Sequence, residues 1–71
     1  MIVKIKKQTG SLLLEGEYYE AQRYWLDPME KVTLLCKLDP VTLKPVEVNH
    51  SMCNEYISNI EIINMKKHLN F

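Results

Sequence analysis

A chain of 71 residues has room for one small domain. Its 46% apolar and 25% charged residues exclude a disordered chain. Its formal net charge of zero excludes recognition of a nucleic acid or an anionic membrane by global charge alone.

The first element is a strand. Ile2 to Lys7 alternates apolar and basic, with Val3 and Ile5 on one face and Lys4 and Lys6 on the other. The opening Met1-Ile2-Val3 is followed at once by Lys4, which does not read as a signal peptide because no apolar h-region follows. The longest apolar run, Leu12-Leu13-Leu14, is far too short to span a membrane. The expectation is a cytoplasmic chain with no membrane partner, whose Cys36 and Cys53 stay free thiols. Thr9-Gly10-Ser11 is a turn signal.

Leu12 to Leu26 reads two ways. As a helix, Ser11 caps it and Leu14, Tyr18, Ala21 and Trp25 form a stripe. As strands, Leu12–Glu15 leads through Gly16 into Tyr18–Leu26. Gly16 costs about 1 kcal/mol inside a helix, and Tyr18, Tyr19, Tyr24 and Trp25 all suit strands. The strand reading is therefore the main one. On that strand Tyr18 and Tyr24 are expected to face inward, and Tyr19 and Trp25 outward, because Glu17 and Arg23 share the second face and resist burial.

Leu-Asp-Pro follows at Leu26-Asp27-Pro28 and recurs at Leu38-Asp39-Pro40. Asp before Pro suits a type I turn: the carboxylate accepts from a backbone N–H and Pro pre-sets φ at the next position. Between the turns, Lys31 to Leu38 alternates as a strand, with Val32, Leu34, Cys36 and Leu38 expected on the core face. Two turns flanking such a run read as a β-meander. Val46 and Val48 alternate with Glu47 and Asn49 as a further strand behind Pro45. Cys53-Asn54-Glu55 reads as a bend, which would leave Cys53 more accessible than Cys36. Ile60, Ile62 and Ile63 supply a last strand or a single 3₁₀ turn. Met65 to Phe71 reads as a short amphipathic helix or a frayed tail.

The expected fold is mostly β: a small five-stranded antiparallel barrel, with a single domain over residues 1–64 and a tail or short helix over 65–71. In layout it resembles the Src-homology-type and Sm-like barrels. Closure of that kind removes exposed edges in a chain too small to cover them otherwise. The alternative is an α+β fold with one helix over Leu12–Leu26 on a three-stranded sheet.

Catalytic and metal chemistry find little here. Cys36, His50, Cys53 and His68 show no Cys-x-x-Cys or His-x₃-His spacing. His50 and Ser51 are adjacent, so on a strand they point to opposite faces, and nothing resembles a nucleophile elbow. Two glycines cannot make a Gly-rich phosphate loop. Glu15 and Glu17 stand ~7 Å apart on a strand, but so short a chain has little material for a deep cleft. The expectation is a protein that is not an enzyme and carries no metal or cofactor.

Binding is the remaining class. Tyr, Trp and Arg are the types enriched at interface hot spots, and they concentrate in one segment beside three glutamates. The expected site is a protein-binding surface of Glu17, Tyr19, Glu20, Arg23 and Trp25, on a small regulator or inhibitor. The alternative is a nucleic-acid-binding barrel using Lys4, Lys6, Lys7, Arg23 and Trp25. Glu15, Glu17 and Glu20 oppose that alternative by repelling phosphates. A homo-oligomer is a further possibility, since the core of so short a chain is thin.

Overall fold

The computed structural model describes residues 1–9, 13–46 and 53–63. The fold is mostly β, with five antiparallel strands in one sheet and no α-helix among the described residues. Strand β1 is Ile2–Ile5, β2 Tyr18–Arg23, β3 Lys31–Leu38, β4 Cys53–Tyr56 and β5 Ile60–Ile63. The spatial order is β4-β3-β2-β1-β5. The first four strands form the meander that the two Asp-Pro turns announce. A single 3₁₀ turn, Ile57–Asn59, then carries the chain from one edge of the sheet to the other. The sheet is not closed: β4 and β5 remain its edges.

No helix forms over Leu13–Leu26, because Gly16 sits at φ +86°. Glu17 N–H donates to the Leu14 carbonyl at 3.2 Å across Glu15-Gly16. A negative φ followed by a positive one is the pattern of a type II turn, which wants glycine at its third position. Among the described residues ahead of it, Leu13 forms an isolated bridge with Thr9, and Leu14 and Glu15 belong to no strand; Leu12 of the expected Leu12–Glu15 strand lies outside the described residues.

At the second Asp-Pro the expected capping is realised. The Asp39 carboxylate accepts from the N–H groups of Val41 (2.8 Å) and Thr42 (2.9 Å). These two bonds, Thr42 first, favour the charged form and hold its pKa below the ordinary carboxylate value. The turn ends on Leu43 at φ 59°, a left-handed backbone rare for a leucine. At the first Asp-Pro it is the Asp27 carbonyl that accepts, from Glu30 N–H at 3.2 Å and Lys31 N–H at 3.0 Å.

Strand β3 carries the chief departure from simple alternation. Glu20 pairs with Cys36 but Ala21 pairs with Leu34, so Leu35 is an extra residue in the ladder. Residues opposite each other share a face. Val32 and Leu34 therefore lie on the core face, whereas Cys36 and Leu38 lie on the other, with Glu20 and Tyr18. Lys37 moves to the Tyr19 side. The single face expected for Val32, Leu34, Cys36 and Leu38 is thus split by a bulge. Leu38 is still buried, at 3% exposure, but outside the contiguous core cluster.

That cluster joins Val3, Ile5, Leu13, Tyr19, Ala21, Val32, Leu34 and Ile60, with Cys53 and Ile57 packed against it. The cysteine expectation is reversed in part. Cys53 lies on β4 rather than in a bend, and both thiols are half-buried and free. Val46 donates its N–H to the Lys37 carbonyl at 3.1 Å and belongs to no strand. The rest of the strand expected over Val46–Asn49, like the expected tail Met65–Phe71, lies outside the described residues.

Candidate functional site

The β2–β3 connection is two turns set end to end. Asp27 N–H donates to the Tyr24 carbonyl at 3.0 Å, closing the first around Trp25-Leu26. The Asp27 carbonyl closes the second around Pro28-Met29. Pro28 is a usual corner residue, but the other three corners, where polar residues or glycine are common, carry the apolar side chains of Trp25, Leu26 and Met29. Trp25 is 80% exposed and Met29 81%, with Leu26 also exposed. The backbone beneath is fixed. Arg23 Nη1 donates to the Pro28 carbonyl at 2.9 Å, Tyr24 N–H to the Lys31 carbonyl at 3.0 Å, and Ile57 N–H to the Glu30 carbonyl at 2.7 Å. Exposed Tyr56 stands at the same end of the sheet, opposite Lys31, whose Nζ lies 4.9 Å over its ring.

The expected site residues separate. Trp25 points outward as expected, but from a turn, since β2 ends at Arg23. Tyr19 does not: it is 2% exposed and the largest fully buried side chain. The correction has a clear cause. Only the middle of that strand face, Tyr19 and Ala21, lies over the core, while its charged neighbours find polar partners at its two ends. Arg23 does so at the turn. Glu17 does so at the other end, where it pairs with Lys37, accepts from Leu14 N–H at 2.8 Å and from the Tyr19 hydroxyl at 3.3 Å. Tyr18 and Tyr24, expected inward, are half-buried instead.

This cluster has matched electrostatics. Burial pushes the Tyr19 phenol up to about 12, and the Glu17 charge adds to the shift. Burial also acts to raise Glu17, but the Lys37 ammonium and the Leu14 N–H outweigh it and hold Glu17 below its ordinary value. Glu20, on the opposite face, is half-exposed and meets the N-terminal ammonium at 3.5 Å.

A second polar cluster lies under the 3₁₀ turn. Glu55 is 5% exposed, the one buried charged residue among those described. Its Oε2 accepts from the Thr9 hydroxyl (2.6 Å) and Asn59 Nδ2 (3.3 Å), and its Oε1 from Tyr56 N–H (2.7 Å). Asn59 also exchanges bonds with the Lys7 backbone, donating at 3.0 Å and accepting at 3.1 Å. The carboxylate is fully satisfied and ties β4 to the chain after β1.

The Cys53 thiol is pushed up by burial and by the Glu55 charge, the reverse of activation. Among the described residues no group of three His, Cys, Asp or Glu side chains gathers to hold a metal. No helix among them is long and apolar enough to cross a membrane.

The alternative basic site is not assembled as expected. Lys4 lies 5.7 Å from the Tyr18 ring and pairs across the ladder with Glu61. With Lys6 it borders a shallow groove of about 350 Å³ that Glu15, Gly16 and Glu61 complete. Gly16 N–H bonds the Ile5 carbonyl, so Lys6 stands near the level of Gly16. Arg23 is seven residues further along, roughly 20 Å at the strand rise. The lysines and the Arg23–Trp25 pair thus occupy opposite ends of the sheet.

Leu26, Met29 and Tyr56 were missing from the sequence-based site. The signal for two of them was present: an apolar residue placed inside a Pro-marked turn has no core to enter. Comparison of the chain with protein-family models, curated proteins and solved structures finds no match, so the site rests on its own geometry.

Proposed function

We propose that this chain is a small, non-enzymatic binding module, of regulator or inhibitor type, that recognises another protein through the β2–β3 connection. One observation carries the reading: Trp25 and Met29, both about four-fifths exposed, occupy corners of two turns that hydrogen bonds hold rigid. A fixed apolar knob loses little entropy on docking, and Trp is foremost among hot-spot residues. Arg23 and Trp25 remain from the expected site. Glu17, Tyr19 and Glu20 serve the scaffold. We read that scaffold as a small barrel left open at one seam, its two edges linked by the 3₁₀ turn in the layout of Src-homology-type barrels. Two free thiols suit a cytoplasmic setting.

The test is capture from a nuclease-treated lysate of the source cell, with tagged wild-type protein and the variants Trp25→Ala and Met29→Ala. The expected result is loss of capture by about tenfold or more for each variant, with unchanged urea midpoints. Capture indifferent to both substitutions overturns the reading. Capture that disappears with nuclease and falls steeply with salt transfers the function to nucleic acid and to Lys4, Lys6 and Lys7.

A further inference from the structure

We propose that this knob also docks a second copy of the chain, knob to knob about a twofold axis, so that self-pairing and the partner of the preceding section compete for one surface. The inference rests on the preceding reading that the β2–β3 connection is a docking surface. Three observations point to a like partner.

The first is area. Trp25, Leu26, Met29 and Tyr56 are all exposed at one end of the sheet. Two of the four are aromatic, with side chains of ~150–250 Å² each, and together with Leu26 and Met29 they leave on the order of 500 Å² of apolar surface open. That is at the upper end of what a monomer tolerates. It supplies most of the ~800 Å² per partner that a standard interface requires, with the knob's charged rim available for the rest.

The second is charge. The rim carries Arg23 and Lys31 against Asp27 and Glu30, so its charges cancel. A neutral rim offers no steering toward a nucleic acid or an anionic bilayer. In a twofold interface each copy presents the same two cations and two carboxylates to the other, and opposite signs can meet across the axis. The whole chain is also neutral, so copies approach without net repulsion.

The third is size. A chain of 71 residues has a thin core, and a domain this small commonly draws stability from association.

Sedimentation equilibrium of the full chain, from low micromolar to several hundred micromolar, tests this. The expected result is a rise from monomer to dimer mass. Trp25→Ser and Met29→Ser should each weaken the dimer by about tenfold or more, with urea midpoints of the dilute protein unchanged. Val41→Ser is the control, because Val41 is as exposed but lies at the opposite end of the sheet. A monomer at every concentration overturns self-pairing, yet leaves the capture experiment above to decide whether another protein binds. A dimer that is insensitive to Trp25 and Met29, or equally sensitive to Val41, also overturns it.

Discussion

Tyr19 and Trp25 are both aromatic residues of the same segment, and they have opposite duties. Tyr19→Ala should remove ~3–5 kcal/mol, the cost of emptying a fully buried aromatic site. Trp25→Ala should change stability by no more than ~0.5 kcal/mol. Urea denaturation of the two variants checks the contrast. Glu55 is the other residue on which the fold leans. Glu55→Gln sets an amide donor among donors that need an acceptor: the Thr9 hydroxyl, Asn59 and Tyr56 N–H. A loss of ~2–3 kcal/mol is expected, read as a lower urea midpoint at unchanged slope. Titration adds a third test. Glu17 is depressed in the folded chain, so its contribution is complete above its ordinary value of 4.5 and is lost as pH falls through the folded value. Tyr19 is raised, so its contribution is complete below 10.0 and is lost as pH rises toward about 12. Glu17→Gln should flatten the acid limb of a plot of thermal midpoint against pH, and Tyr19→Phe the alkaline limb.

The elements themselves were legible where one local signal acted alone. Val3 and Ile5, Val32 and Leu34, and the two Asp-Pro turns sit where alternation and turn chemistry place them. Alternation failed at Leu35, because a bulge is a property of a strand pair and leaves no mark on one strand's sequence. It failed again at Tyr19, because the length of face that a core covers depends on the neighbouring strands. Cys53-Asn54-Glu55 misled for a related reason. Its polar residues suggest a bend, but Glu55 finds a partner in Thr9, 46 residues away in the chain, as well as in nearby Asn59. Gly16 offers a clean test of a local signal. Nothing lies within 4 Å of where a Cβ would stand, yet φ is +86°. Gly16→Ala should therefore cost ~1–2 kcal/mol through backbone strain alone, seen as a lower thermal midpoint with no change in the sheet's circular dichroism.

At the scale of the whole molecule, the sheet separates its surface features by end. The β1–β2 turn, the lysine groove and the Glu17–Lys37 pair lie at one end, and the apolar knob at the other. The sequence concentrated all of this into one aromatic and acidic segment, because it could not show that a strand would carry Glu17 and Trp25 to opposite poles. Arg23 and Trp25 entered the candidate site by residue type. Leu26 and Met29 carried a signal in their Pro-marked turns, whereas Tyr56 carried none, since its place at this end follows from its pairing with Lys31. If knob-to-knob pairing holds, folding and association are linked. The thermal midpoint should then rise with protein concentration, and the rise should vanish in Trp25→Ser. Calorimetry at two concentrations tenfold apart reads this directly.

Trp25 is the chain's single tryptophan, and the fold leaves it in water. Its fluorescence therefore reports on company rather than on folding. The indole is already solvated in the native state, so unfolding by urea should shift its emission very little. Any molecule that covers the knob should move that emission to the blue and shield it from collisional quenchers. If the knob is where a partner docks, the native protein carries its own optical probe for that meeting.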